Sequence, residues 1–312
     1  MTTIAFVFPG QGSQSVGMLD AWGDHPVVKA TLAEANDALG EDLAQLIAQG
    51  PKEALDLTTT TQPAMLAAGV AVWRAWVAET GITPACVAGH SLGEYTALVA
   101  AGSLSLADAL PLVRFRAQSM QEAVPVGAGG MAAILGLDAA RIREVCAQVA
   151  AQVGQAVEAV NFNDPMQTVI AGTKAAVEAA CEQLKQAGAK RALVLPVSAP
   201  FHSSLMKPAA EKLKGRLAEV AVQMPAMPLI NNVDVAEAAS PDAIRDALYR
   251  QACSPVRWVE TIQAFKARGV THVVECGPGK ALSGMVKRID AELVSANVAD
   301  PASLQATREL LA

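Results

Sequence analysis

Apolar positions along this chain fall into two rhythms, short unbroken runs and longer stretches at helical spacing. The runs at residues 4–8 (IAFVF) and 85–88 (ACVA) stop abruptly at Pro9-Gly10 and at Gly89, which predicts buried strands opening into loops. Between them, helical spacing predicts a helix over 27–39 and a long Ala-rich helix over 62–79. Pro63 is expected in the first turn of the latter, where a missing N–H costs nothing. Its most apolar part, 65–78, is interrupted by Arg74 and falls short of a bilayer-spanning length, so a buried helix is expected. A helix follows Ser91. Ser105-Leu106-Ala107-Asp108 has an N-cap residue with an acid three positions on, which predicts another helix over 106–122.

At 126–130 the pattern changes to VGAGG, a hinge or domain boundary. Beyond it the pattern predicts a strand at 131–135, a helix at 139–152, strands at 156–161 and 168–171, a helix at 174–187 and a strand at 192–195. This β-α-β-β-α-β order is the ferredoxin-like unit. Residues 196–200 lead back out. A strand near Leu229, helices from Asp242 and Val259, a strand at 271–275, a helix after Gly279 and a last strand and helix complete the chain. Strand–helix alternation on both sides of the unit predicts an α/β fold with a mostly parallel sheet flanked by helices. The expected organisation is a large discontinuous domain, 1–126 and 199–312, with a ferredoxin-like subdomain at 127–198 inserted in it.

Composition narrows the function classes. The 312 residues are 52% hydrophobic and 17% charged, which suits a well-packed globule, and the net charge of −6 with no basic tract argues against nucleic acid as a partner. The five cysteines, Cys86, Cys146, Cys181, Cys253 and Cys276, are odd in number and scattered, so neither a disulfide framework nor a zinc site is expected. The N-terminal segment lacks a basic n-region and its apolar run is too short for a signal peptide. A cytoplasmic protein with no membrane partner is expected.

The candidate chemistry centres on residues 88–96, AGHSLGEYT. Gly89, Ser91 and Gly93 fit G-x-S-x-G, the pattern that turns a strand sharply into a helix and holds a serine hydroxyl at the apex. Ser91 is then a nucleophile, or else simply a helix N-cap. A serine nucleophile needs a base, and there are four histidines. His90 adjoins Ser91, and neighbours on an elbow point apart. His25 lies at a helix boundary and His272 at the start of an apolar strand. His202 sits in a Pro- and Ser-rich loop just after a strand, where functional residues collect, and elimination leaves it as the general base. Its alternative is a loop histidine bonded to backbone. Gly277-Pro278-Gly279-Lys280 lacks phosphate-loop spacing and is assigned no catalysis.

Five stretches together resemble the malonyl-CoA:acyl carrier protein transacylase family: GHSLGEY, PVSAPFHSSLM, FVFPGQGSQ at 6–14, RFRAQSMQEAV at 114–124 and VECGPGK at 274–280. They are in order and span nearly the whole chain. The resemblance implies a hydrolase-like large domain with a ferredoxin-like insertion. It implies that Ser91 is acylated, that His202 activates it and that the Gln11 and Leu92 backbone N–H groups form the oxyanion hole. For Leu92 there is an independent reason, since the residue after an elbow nucleophile opens a helix with its N–H toward the reacting carbonyl. The Gln251 carbonyl would orient the His202 imidazole in place of a triad carboxylate. Arg116 would bind the free carboxylate of a malonyl group, as a guanidinium does through paired hydrogen bonds. Arg114, two residues away, would face elsewhere; without the resemblance Arg116 is an ordinary helix arginine. Asn161 and His90 fall in the substrate-binding set. Phe201 would fill the space a branched acyl group needs.

The resemblance thus implies ping-pong transfer of malonyl from malonyl-CoA to acyl carrier protein, supplying fatty acid synthesis, by a monomer with no metal or bound cofactor. The alternatives are an acyltransferase serving a polyketide synthase, a serine hydrolase, and a catalytically silent carrier-docking module. Carrier proteins of this class are acidic, which makes Lys190, Arg191 and Lys207 candidate docking residues.

Overall fold

The computed structural model describes residues 2–197 and 199–312; Ser198, at the expected return from the inserted unit, lies outside the described residues. Among the described residues, eight strands form two sheets. In the first, β1 (Ile4–Phe8), β2 (Cys86–Gly89), β7 (His272–Cys276) and β8 (Val294–Val298) lie in the order β2-β1-β7-β8, every pair parallel. Helices cover both faces, so β1 is apolar throughout. Phe6 and Phe8 meet Trp73 edge-on, with ring centroids 5.4 and 6.2 Å apart. Ala5 and Val7 face the opposite way, into a cluster with Trp258 and Phe265.

The second sheet is antiparallel, β4 (Val157–Asp164), β5 (Gln167–Thr173), β3 (Gly129–Leu135) and β6 (Arg191–Val194), in the order β4-β5-β3-β6. With helices Ala139–Val153 and Lys174–Gln186 it has the ferredoxin-like topology. Those helices bury one face of the sheet. The other face, with Met131, Val160 and Val169, packs with Leu195, Val197 and Phe201. The outer edge of β4 is held by the segment before helix Trp258–Ala267, where Phe162 N donates to Val256 O (3.0 Å) and Val256 N to Val160 O (2.8 Å). At its far end Asp164 accepts from Arg288 Nε (2.6 Å).

Several elements differ from the sequence expectation, among them helices Leu43–Gln49 and Lys52–Leu55, which it did not contain. Helix Thr58–Thr80 starts earlier, so Pro63 sits in its second turn. The β-branched residues 58–61 conceal this start, which is fixed tertiarily by Thr61 Oγ1 donating to Leu55 O (2.6 Å). Leu229 forms one parallel bridge to Val87 rather than a strand, because Pro228 has no N–H to extend the ladder. Helix Lys207–Ala218 has no counterpart in the sequence reading; Pro208 in its first turn and Gly215 near its end interrupt the pattern. Among the described residues no helix is long and apolar enough to cross a membrane.

Candidate active site

The site is built where the carboxyl ends of β1 and β2 meet the uncovered face of the antiparallel sheet. Strand β2 ends at Gly89, and the chain reverses through His90, Ser91 and Leu92 into helix Gly93–Ala100. A Cβ on Gly89 would lie 1.8 Å from the Gly93 carbonyl carbon, and one on Gly93 would lie 2.0 Å from Phe8 O, so no other residue fits either position. Ser91 itself has φ 53°, a left-handed conformation costing about 1 kcal/mol or more. Neighbouring side chains hold it there. Asn232 Oδ1 accepts from Ser91 N (2.8 Å), Asn232 Nδ2 donates to Gly89 O (2.7 Å), and Gln251 Nε2 donates to Ser91 O (3.0 Å).

His202 comes from the loop before helix Lys207–Ala218 and is also left-handed, with φ 64°. Its Nε2 lies 2.7 Å from Ser91 Oγ and its Nδ1 lies 2.9 Å from Gln251 O. A carbonyl oxygen only accepts, so Nδ1 carries the proton and Nε2 presents its lone pair to the serine hydroxyl. Burial, reinforced by the positive charge of Arg116, pulls the His202 pKa down to about 3. The imidazole is therefore neutral across the physiological range.

Arg116 projects from helix Leu106–Glu122 and is only 1% exposed. Its Nη1 donates to Gln62 Oε1 (2.7 Å), and its Nη2 donates to Gln251 Oε1 (3.0 Å) and Ser91 Oγ (3.2 Å). All three acceptors are neutral, Nε has no partner, and among the described residues no carboxylate forms an ion pair with this guanidinium. Burial lowers its pKa, as expected for a cation taken out of water without a counter-ion. Arg114 faces elsewhere and pairs with Glu41.

A cleft of about 570 Å³ opens over these groups. It is lined by Gln11, His90, Ser91, Leu92, Arg116, Asn161, Phe201 and His202, together with Met120 and Met131. Gln251 lies beneath it, fully buried. All nine residues given catalytic or substrate-binding roles from the sequence thus meet in one place, whereas the candidate docking residues Lys190, Arg191 and Lys207 are not among those lining the cleft. The Gln11 and Leu92 backbone N–H groups donate to no protein acceptor among the described residues. Gly10 brings the loop of Gln11 against the elbow, since a Cβ on it would lie 2.6 Å from His90 O. Asn161 Oδ1 is buried without a partner, and His90 Nε2 is 2.8 Å from Asn163 Oδ1. Among the described residues no cluster of three or more His, Cys, Asp or Glu side chains is placed to hold a metal ion.

Sequence reasoning missed Asn232, Glu94, Gln62 and Asn163. Gln62 and Glu94 carry a faint signal, each being a polar side chain inside an otherwise apolar helical stretch. Asn232 lies 141 positions from the serine it holds, and nothing local marks it.

An acyl transferase domain model matches residues 5–300. The chain belongs to the malonyl-CoA:acyl carrier protein transacylase family. It is 54% identical to the malonyl CoA-acyl carrier protein transacylase of Salmonella typhimurium over 98% of this chain and 99% of that one. It matches the crystal structure of an acyl-carrier-protein S-malonyltransferase from Burkholderia pseudomallei with a TM-score of 0.97 and 63% identity, covering 99% of this chain and 100% of the other. A malonyl-transacylase solved in complex with a type II PKS acyl-carrier protein also superimposes with a TM-score of 0.97, at 51% identity over 99% of this chain and 100% of that one. Membership in this transacylase family makes the chain an acyltransferase, and its α/β fold is that of its structural neighbours.

Proposed function

We propose that this enzyme transfers the malonyl group of malonyl-CoA to the phosphopantetheine thiol of an acyl carrier protein through a malonyl-Ser91 intermediate, supplying fatty acid synthesis. The observation that carries the reading is a buried guanidinium without a carboxylate partner, 3.2 Å from the nucleophilic oxygen. His202 Nε2 takes the Ser91 proton as Oγ attacks the thioester carbon. The oxyanion that forms accepts from the Gln11 and Leu92 N–H groups. Collapse breaks the carbon–sulfur bond, and the His202 imidazolium returns its proton to the leaving CoA thiolate. An imidazole with so low a pKa gives up a proton readily, which favours this step. The carrier thiol then attacks malonyl-Ser91, with His202 taking the thiol proton and handing it to Ser91 Oγ. Gln251 O keeps the imidazole in the required tautomer. Arg116 binds the malonyl carboxylate, Asn161 and His90 line the acyl path, and Phe201 limits bulk at the α-carbon.

Intact-protein mass after brief mixing with malonyl-CoA or acetyl-CoA tests this. Wild type is expected to gain a malonyl group and to lose it when acyl carrier protein bearing a free phosphopantetheine thiol is added. Ser91→Ala gains none. Arg116→Ala loses about a hundredfold in malonyl loading, the equivalent of about 3 kcal/mol, with acetyl loading little changed. Steady CoA release without carrier and without an adduct would make the protein a hydrolase. Neither adduct nor release would overturn the transferase reading. Comparing a fatty acid carrier with a polyketide carrier as acceptor identifies the second substrate.

A further inference from the structure

Glu94 lies in the first turn of the helix that follows the elbow, only 1% exposed, and the reaction as described does not use it. Its Oε2 accepts from Gln251 Nε2 (2.9 Å) and from Asn232 N (2.9 Å). Those two residues are the ones that clamp the elbow backbone from either side. The other end of the Gln251 carboxamide, Oε1, accepts from Arg116 Nη2 (3.0 Å). An amide thus stands between a carboxylate and a guanidinium, donating to one and accepting from the other. A carboxamide aligned in this way polarises along its length and transmits the attraction between the two charges. The same residue offers its main-chain carbonyl to His202 Nδ1.

We propose that Glu94 is a positioning residue for both halves of the site: through the Gln251 carboxamide its carboxylate serves as the counter-charge of Arg116 and fixes the carbonyl that orients His202. The proposal rests on the reading of Ser91, His202 and Arg116 given above. Burial raises the Glu94 pKa to about 7, against the opposing effects of Gln251, Asn232 and Arg116. The charged and titratable groups that face it are Arg116 on helix Leu106–Glu122, Asp234 on the loop after Asn232, and Tyr95 on its own helix. His202 lies beyond Gln251. The relay is therefore switched by one proton near neutral pH, a range in which His202 does not titrate. Above that point the carboxylate favours the positive charge that develops on the imidazole. Below it, the base is left facing Arg116 without compensation.

The test is the acyl-loading half-reaction, measured for wild type, Glu94→Gln and Glu94→Ala from pH 5 to 9 with malonyl-CoA. Glu94→Gln keeps the shape and one acceptor oxygen and removes the charge. Wild type is expected to show a rising limb centred near pH 7. Glu94→Gln is expected to lose that limb and run flat at the low-pH level, with kcat reduced about tenfold and KM for malonyl-CoA unchanged or lower, because a less compensated Arg116 attracts the substrate carboxylate more strongly. Glu94→Ala, which removes the acceptor as well, is expected to raise KM and to lose stability. An unaltered limb in Glu94→Gln would overturn the proposal, as would a loss confined to KM. Wild type that takes up no malonyl group at any pH would instead overturn the transferase reading itself, so the two failures are distinct.

Discussion

Two turns at the carboxyl edge of the parallel sheet follow the same plan and do different work. Strands β2 and β7 flank β1, and each ends in a tight turn that starts a helix. At β7 the turn is Gly277-Pro278-Gly279, and its left-handed positions, φ 132° and 86°, are both glycine. At β2 the left-handed position is Ser91. Each turn has a buried glutamate nearby. Glu275 Oε2 accepts from Ser283 N (2.8 Å) and Ser283 Oγ (2.9 Å), and so serves only the start of its own helix. Glu94 reaches instead to a distant loop, at Asn232, and to the end of helix Pro241–Gln251. Glycine takes the strain where nothing need be presented. Where a hydroxyl must stand at the apex, a side chain takes the strain and the surroundings are built to hold it.

Substitutions that exchange these properties sharpen the contrast. The largest effect is expected for Gly89→Ala, whose Cβ would fall on the backbone of Gly93. No side-chain motion relieves that contact, so a loss of roughly 3 kcal/mol or more is expected, read as insoluble protein or a collapse of the thermal midpoint. Gly279→Ala meets only Ser13 Cβ at 3.2 Å and mainly suffers from its φ, so a loss of about 1–2 kcal/mol with malonyl loading retained is expected. An equal loss at the two sites would erase the distinction.

The next effect is a pH slope. His202 falls from an ordinary 6.5 to about 3 on folding, so between those values the unfolded chain binds the extra proton and stability rises with pH. Glu94 rises from 4.5 to about 7, so between those values the folded state holds the extra proton and stability falls with pH. From pH 4.5 to 6.5 the two slopes oppose each other. Urea unfolding of Glu94→Gln, compared with wild type, should show an added gain with rising pH in that window, at most about 1.4 kcal/mol per pH unit. A difference that stays constant from pH 4.5 to 6.5 would refute the opposition. The smallest effect is expected for Ser91→Gly, inactive yet about 1 kcal/mol more stable, since glycine takes φ 53° without strain.

How far the sequence reveals all this depends on distance along the chain. The elbow is legible because close backbone approach demands glycine two residues either side of a serine, and both demands fall in one short stretch. The ferredoxin-like order is legible because each helix and strand there is long enough to show its period. The base emerges by elimination only because the chain has few histidines. Gln251 and Arg116 are different. Their local patterns are those of ordinary helix residues, and only resemblance singles them out. Asn232 leaves no trace and Glu94 only a polar side chain in an apolar helical stretch, because their roles exist only after residues 94, 232 and 251 have been folded together. Leu229 shows the reverse error, a strand-like apolar pair whose neighbouring proline lets it add a single bridge.

Arg116 keeps its charge while buried, and it meets the Glu94 carboxylate only through the Gln251 amide. Burying a cation so incompletely compensated costs the resting protein stability, and on the proposed reading a carboxylate brought in by the acyl group restores it. The best-balanced form of this molecule is therefore the one caught midway through its reaction. On that reading the loaded enzyme unfolds at a higher temperature than the free one.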